Sequence, residues 1–391
     1  MARFFGTIEK QKTNWRMRVT TGYKENGTPI RASRTTTTKN AAQREKELAA
    51  FIAELERGEY IAPAKMTYQQ FIEEEYIPKQ AKHQQGIKAF ENRSSHFKNH
   101  IFPRFGQTQI SKISTLQMVT FLHDLQQEGV RTNKKDTRPL SVRTVCDIFK
   151  MVRTSLETAK AWGIIKSNPC DLVKLPSSAS SKISYYTPEE VDFIYSKLAD
   201  EPLDFQMMIC IAICTGCRVG ELAALERKHL YMIDRNAIKF ENTIITPTGI
   251  GVQLKESTKN ETTGYVSIPT WLSEMLKIFL SDYEELRGSI DITSEFEKHE
   301  FIFYNLMNGK PLRPDSIYQR WIRFLARNKI RHLKFHALRH TSATLLIKEN
   351  VHLKVIQQRL RHKKHATTAD IYSHVLVESD DSAASTFKKP F

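Results

Sequence analysis

The sequence lacks any apolar run long enough to cross a bilayer, since a spanning helix needs roughly 20 mostly apolar residues. The first residues, Met1 to Phe5, also lack the longer apolar stretch of a secretion signal. We therefore expect a cytoplasmic protein with no membrane partner.

Cysteine is scarce, with five residues in a chain of 391. An odd and sparse set does not resemble a disulfide framework. Cys210, Cys214 and Cys217 share one helical face by their spacing, and the last two form a CxxC pair suited to zinc or redox chemistry. Because no second ligand pair lies at zinc-finger spacing, buried thiols are the favoured interpretation.

Motifs for nucleotides and catalytic metals are absent as well. The sequence contains no GxxxxGK[ST] loop that would hold nucleotide phosphates. It contains no cluster of Asp and Glu residues that suggests a two-metal site. The sequence therefore predicts no cofactor and no bound metal.

Basic residues, in contrast, are abundant: 59 Lys and Arg stand against 43 Asp and Glu, a formal net charge of +16. Such a protein usually binds a polyanion, most often nucleic acid, although charge alone also fits a merely basic surface. The first 40 residues hold nine basic and two acidic side chains, a net charge of +7. A sheet this small is expected to present one positive face to DNA phosphates, and a solvated sheet is the alternative. The candidate DNA-binding residues are Arg16, Arg18, Arg31, Arg34 and Lys39.

Three segments with different patterns follow one another along the chain. Residues 1–60 predict three short strands and one helix. Residues 66–175 have helical periodicity. Residues 180–391 are mostly helical, with strands predicted at 238–245 and 265–268. The expected fold is multidomain and mainly α with small β-sheets.

Capping and breaking residues predict where several helices begin and end. Thr67 is expected to cap a helix that follows it, and Thr187 before Pro188 is a clean helix start. Pro103 predicts that the helix before it ends at Ile101. The other predicted helices span residues 115–127, 141–162, 315–328, 336–350 and 353–360.

Three short clusters carry the candidate chemistry, and each, taken alone, also has an ordinary explanation. Arg218 and Glu221 fall one turn apart on a predicted continuing helix, as in many surface ion pairs. His336 and Arg339 share a helical face and can grip a phosphate, although packing also explains them.

The third cluster contains His362 and, ten residues later, Tyr372. A lone tyrosine near a C-terminus is usually a packing residue. In this order, however, the clusters resemble the tyrosine recombinase, or phage integrase, family. Its pattern runs Thr-Gly-x-Arg-x-x-Glu-Leu, His-x-Leu-Arg-His-Thr, Leu-Gly-His and Thr-x-x-x-Tyr-x-His, and the resemblance covers residues 186–375.

Two positions depart from the family pattern. Arg361 replaces the glycine before His362, which alters the local turn or adds a phosphate contact. The family also uses a lysine in a β-turn, for which Lys259 is the candidate and Lys255 the alternative. Tyr265 stands where an arginine is frequent beside the lysine strand.

The resemblance implies that Tyr372 attacks a DNA phosphodiester and forms a 3′-phosphotyrosine, leaving a free 5′-hydroxyl. The phenol, with a pKa of about 10, needs help to attack. Arg218 and Arg339 are implied to stabilise the pentacoordinate phosphate, with His336 as general base. The other implied roles are general acid for Lys259, hydrogen-bond donor for His362 and support for Glu221 and His340.

The resemblance also implies three domains: an arm-site DNA-binding domain at 1–60, a helical core-site DNA-binding domain at 66–175 and an α+β catalytic domain at 180–391. It implies a homotetramer on double-stranded DNA of the nucleoid. Such a protein integrates and excises a prophage or conjugative transposon without ATP, with DNA-bending and excision proteins as further partners.

Two other functions fit parts of the pattern. A DNA-binding regulator on the same fold would have lost one or more catalytic residues, and none is missing here. A type IB topoisomerase uses similar chemistry to relax DNA. The basic N-terminal segment and the length of 391 residues favour an integrase.

Overall fold

A computed structural model describes most of the chain, which divides into two compact units, Met1–Ala179 and Ser180–Phe391. The fold is multidomain and mainly helical with small sheets, as the sequence predicted. Within the described residues, no helix is long and apolar enough to cross a membrane. The described residues are 4–58, 60–61, 64–81, 93–127, 138–177, 184–230, 235–256, 264–288, 296 and 298–361.

The first unit opens with a three-stranded antiparallel sheet in the order β1-β2-β3, followed by a helix. Met17 and Val19 of the central strand are fully buried and belong to the same core cluster as Phe51 of the helix. The structure confirms the three predicted strands and the predicted helix that follows them. The elements are β1 (Gly6–Lys10), β2 (Trp15–Tyr23), β3 (Pro29–Thr36) and α1 (Ala41–Glu56).

A group of helices around an aromatic core forms the rest of the first unit. Phe71, Phe105 and Phe149 are buried in this core. Thr67 begins the first helix by exchanging hydrogen bonds with Gln70, which confirms the predicted cap. The helices are α2 (Tyr68–Gln70, continued by wider turns over Phe71–Ala81), α3 (Phe97–Gly106), α4 (Thr115–Asp124) and α5 (Val142–Ala161).

Helix α3 corrects one predicted boundary. The sequence predicted an end before Phe102, because proline lacks a backbone N–H. Instead the helix continues through Pro103 to Gly106 in wide π-type turns. Such turns change the pairing of N–H groups with carbonyls, so the donor missing at Pro103 does not end the helix.

A helix buried on nearly all sides lies at the centre of the second unit. In α7 (Leu203–Thr215), every residue from Met207 to Ile213 is buried. A helix that is apolar around its whole circumference belongs in a protein interior. The other helices are α6 (Pro188–Leu198), α8 (Val219–Ala223), α9 (Thr270–Gly288), α10 (Pro314–Arg327), α11 (Ala337–Lys348) and α12 (Leu353–Leu360).

The strands of the second unit differ from the prediction of one strand over 238–245. That segment forms two strands, which pair antiparallel with different partners: β4 with β7, and β5 with β6. The split falls at Glu241, whose carboxylate accepts a hydrogen bond from Lys239 and lies 3.0 Å from Nε2 of His229. The strands are β4 (Ala237–Phe240), β5 (Asn242–Ile245), β6 (Gln253–Glu256) and β7 (Gly264–Ser267).

Candidate active site

Arg339 is the most firmly held of the predicted site residues. Its side chain is only 2% exposed. One guanidinium nitrogen, Nη1, donates to the carbonyl of Gly216 at 2.6 Å, and Nη2 donates to the carbonyl of Leu360. These carbonyls stand at the C-terminal ends of α7 and α12, where the helix dipoles favour positive charge. Arg339 of α11 therefore ties three helices together at one point.

Gly216 makes this junction possible. It ends α7 in the left-handed conformation, with φ of +61°. A Cβ atom on this residue would lie 2.5 Å from Cδ2 of Leu360. Only glycine satisfies both the backbone angle and the close approach of α12.

Arg218 lies directly after this turn, at the start of α8. The sequence predicted that it sits on a continuing helix, but α7 ends at Thr215 and Arg218 is the extended residue that begins a new helix. The predicted partner is nevertheless confirmed. Oε2 of Glu221 accepts from the Arg218 backbone N–H at 3.0 Å, and Oε1 accepts from Nη1 of Arg218 at 2.5 Å.

Glu221 is shared between two arginines. Nη2 of Arg361 donates to Oε2 of Glu221 at 2.7 Å. Burial opposes ionisation, but the charges of Arg361 and Arg218 outweigh it and lower the pKa of Glu221. The carboxylate is therefore ionised and links a buried arginine to an exposed one, because the side chain of Arg218 is 49% exposed and that of Arg361 only 4%.

The sequence raised Arg361 as a departure but missed its contact. Its backbone is left-handed, with φ of 56°, so the turn keeps a conformation that glycine would adopt easily. Its guanidinium lies inside the protein, 4.4 Å from the centre of the Phe240 ring. The local change therefore places a charged side chain in the interior.

His336 and His340 lie beside these arginines. Their rings meet edge to face, with centroids 5.0 Å apart. Partial burial and the charges of Arg339 and Arg218 lower the pKa of His336. Burial, His336 and Arg339 lower the pKa of His340 to about 4. Both imidazoles are therefore neutral at pH 7, the state in which histidine accepts a proton.

Three predicted site residues, Lys259, His362 and Tyr372, lie outside the described residues. The alternative lysine, Lys255, is exposed on β6 opposite Thr243. The structure thus brings together Arg218, Glu221, His336, Arg339 and His340.

All five cysteines are free, and four of them are buried. Burial raises the pKa of Cys217 to about 11 and that of Cys210 to about 12. Among the described residues, no group of His, Cys, Asp and Glu is arranged to hold a metal ion. Cys210 and Cys217 are buried and Cys214 is partly buried, which agrees with the buried-thiol interpretation.

In the first unit, the candidate DNA-binding residues divide between the two faces of the sheet. Because neighbouring side chains along a strand alternate, Arg16 and Arg18 point away from the buried Met17. Arg31 shares their face, since it stands opposite Thr20. The structure thus groups three basic residues on the face opposite α1, while Lys39 is exposed before α1 begins.

Arg34 lies on the other face, where it pairs with Met17 across the strands. Its Nη2 donates to Oε2 of Glu54 at 2.7 Å, and its guanidinium lies 4.5 Å from the centre of the Phe51 ring. These contacts tie the sheet to α1. The structure therefore separates Arg34 from Arg16, Arg18 and Arg31.

Comparison with known proteins gives consistent matches over most of the chain. The model of the phage integrase family matches residues 184–379, and that of the phage integrase N-terminal SAM-like domain matches residues 67–126. The ICEBs1 integrase of Bacillus subtilis (strain 168) is 27% identical over 73% of each chain. A protein described as tyrosine recombinase XerC-like, from Caldanaerobacter subterraneus, is 26% identical over the whole of both chains.

Solved structures match the fold. The Tn1549 transposon integrase in complex with a circular intermediate DNA superposes with a TM-score of 0.68 at 17% identity, over 82% of this chain and 99% of the other. A lambda integrase dimer bound to a COC' core site has a TM-score of 0.53 at 16% identity, over 95% of this chain and 94% of the other.

Proposed function

This chain belongs to the phage integrase family and is a site-specific tyrosine recombinase, and we propose that it breaks and rejoins DNA through a 3′-phosphotyrosine at Tyr372. The observation that best supports the proposal is the position of Arg339. It is buried, held by two backbone carbonyls, and acts on the pKa of His336 together with Arg218. Two fixed positive charges beside a neutral imidazole suit attack on a phosphodiester.

We assign each group a role in this reaction. Arg218 and Arg339 stabilise the charge that develops on the non-bridging phosphate oxygens, and both stay protonated at any physiological pH. His336 accepts the proton of the Tyr372 phenol, because its lowered pKa keeps it neutral. The energy of the broken bond is kept in the phosphotyrosine, so rejoining needs no ATP. The remaining proposed residues are Lys259 as general acid, His362 as hydrogen-bond donor, and Glu221 and His340 as supports.

We further propose that the chain works on double-stranded DNA as a homotetramer, through an arm-site domain at 1–60, a core-site domain at 66–175 and a catalytic domain at 180–391. The relatives suggest the larger role, since they include integrases of the ICEBs1 and Tn1549 elements. Integration and excision of a prophage or conjugative transposon on the nucleoid, with DNA-bending and excision proteins as partners, is the function that we propose.

Covalent trapping tests this function. The protein is incubated with a nicked duplex that carries the element's attachment core, without metal or ATP, and run on a denaturing gel. We expect a DNA-linked protein band that disappears in the Tyr372→Phe variant. Tight DNA binding by the wild type without any adduct would count against cleavage and favour a DNA-binding regulator on the same fold.

A further inference from the structure

We propose that Arg361 is a positioning residue of the active site: it holds the Glu221 carboxylate, which in turn orients Arg218. The inference rests on the proposed cleavage function, because Arg218 is assigned there to the scissile phosphate. It adds a residue that lies behind the groups in contact with DNA.

The contacts form a relay through one carboxylate. Oε2 of Glu221 accepts from both Nη2 of Arg361 and the backbone N–H of Arg218, at 2.7 and 3.0 Å. Oε1 accepts from Nη1 of Arg218 at 2.5 Å. Because Arg361 holds one oxygen of Glu221, the carboxylate has less freedom to rotate. Its second oxygen therefore keeps facing the guanidinium of Arg218.

The difference in burial indicates that Arg361 is the supporting arginine and that Arg218 is the one that contacts the phosphate. The guanidinium of Arg361 lies against the Phe240 ring, and Nη1 donates to the carbonyl of Arg359 at 2.9 Å. A planar group held on several sides has few alternative positions. The half-exposed Arg218 is the one able to meet a phosphate. Groups behind a functional residue commonly set its orientation in this way.

The backbone of Arg361 gives independent support. Its φ of 56° is a conformation that glycine adopts without strain and that most side chains disfavour. Keeping an arginine here has an energetic cost, and the buried contact to Glu221 offsets it. A purely structural role, in which Arg361 only fixes the end of α12, remains the competing explanation that the experiment must separate.

The positive φ of Arg361 also suggests the test variant, because Arg361→Gly removes the side chain and at the same time relieves the backbone strain. Lys329→Gly is its matched control: Lys329 is an exposed basic residue with φ of 54°, so it loses the same charge and the same strain. We expect Arg361→Gly to lower the single-turnover rate of covalent adduct formation about 10-fold, within the range of coupled contacts. We expect unchanged DNA affinity, and a control that cleaves at the wild-type rate.

A double variant at positions 218 and 361 distinguishes a positioning role of Arg361 from structural damage. Arg218→Ala alone lowers the rate, and adding Arg361→Gly should lower it no further, because Glu221 then has no side-chain cation at position 218 left to orient. Multiplied losses in the double variant, or a wild-type rate in Arg361→Gly, overturn the inference while the wild-type adduct still supports cleavage. A wild type that forms no adduct overturns the proposed function and this inference with it.

Discussion

Arg339 and Arg218 carry the same charge but are held in different ways. Arg339 is buried against two helix ends, whereas Arg218 reaches the surface from a short helix and depends on Glu221. The first arrangement fixes a charge before DNA arrives, which is the condition for strong electrostatic stabilisation of a transition state. Arginine offers a planar, delocalised guanidinium with five donors, whereas lysine offers a compact point charge, so the two are not interchangeable at such a site.

We therefore expect Arg339→Lys to lower the cleavage rate by about 100-fold, the magnitude typical of losing one preorganised donor. A lysine cannot place two nitrogens on the carbonyls of Gly216 and Leu360 at once. The rate is measured in single turnover on the nicked duplex, and DNA affinity should change little. The control is Arg323→Lys, because Arg323 is exposed and, within the part of the chain that the structure describes, donates only to a carbonyl of its own helix, that of Gln319. Equal rates in both variants would remove Arg339 from the reaction.

The environment of His340 predicts how stability depends on pH. Its pKa in the folded protein is about 4, against an ordinary value of about 6.5, so the unfolded chain binds the proton more readily. Stability should therefore fall as pH drops from 6.5 to 4 and level off below. His340→Asn should reduce this loss by about 1 kcal/mol, less than the full shift because the ring is partly solvated. Denaturant midpoints at pH 7 and 5 give the measurement, and an unchanged difference between them would contradict it.

The junction of α7, α11 and α12 joins these residues into one site. Arg339 spans it, and Gly216 allows it by its left-handed φ and by the space left for Leu360. Loss of this geometry moves both arginines, since Arg218 follows Gly216 by two residues.

Gly216→Ala should therefore lower the free energy of unfolding by about 2–4 kcal/mol, combining the left-handed backbone penalty with overpacking against Leu360. Gly249→Ala is the matched control, because φ is also positive there but nothing lies within 4 Å of the added Cβ. We expect the control to lose only about 1 kcal/mol. Urea denaturation measures both, and equal losses would show that the contact with Leu360 is not tight.

Helix starts could be predicted from the sequence where capping side chains mark them. The reciprocal bonds of Thr67 with Gln70, and of Thr187 with Glu190, follow from the residue types and their spacing. Strand β6 was missed because Gln253–Glu256 carries a single apolar residue and forms only by pairing with β5. Strand propensity depends on the residue types along the chain, whereas the partner of a strand is determined by the three-dimensional fold.

The residues of the candidate site could be predicted from the sequence, but the contacts that hold them could not. The motifs marked Arg218, His336 and Arg339, and the structure brings them together. The partners of Arg339 are backbone carbonyls, which no side-chain pattern reveals. The role of Arg361 depends on a left-handed angle and on Glu221 lying 140 positions away, so sequence could flag only the departure from glycine.

At the scale of the whole molecule, the arginines of the N-terminal sheet divide between two faces with different surroundings. The N-terminal sheet presents Arg16, Arg18 and Arg31 on the face opposite α1, and Arg18 has Glu9 within 3.0 Å on the same sheet. Arg31 is exposed, and Arg16 and Arg18 are half-buried. Arginines clustered on one face are suited to phosphates, whose neutralisation releases counterions. Arg34, in contrast, is engaged with Glu54, which also accepts from Lys166 at 2.6 Å.

The combined substitution of Arg16, Arg18 and Arg31 by alanine should therefore weaken binding of the full chain to any duplex and make it less dependent on salt. Each lost phosphate contact lowers the slope of log affinity against log salt concentration by about 0.9, so three contacts account for about 2.7. Arg34→Ala serves as the control. It should leave the slope unchanged but lower the stability of the first unit, because it removes a partly buried ion pair and the contact with Phe51. A slope that falls equally in both variants would mean that the two faces of the sheet are not divided between DNA and α1, and the assignment of the open face to DNA would be lost.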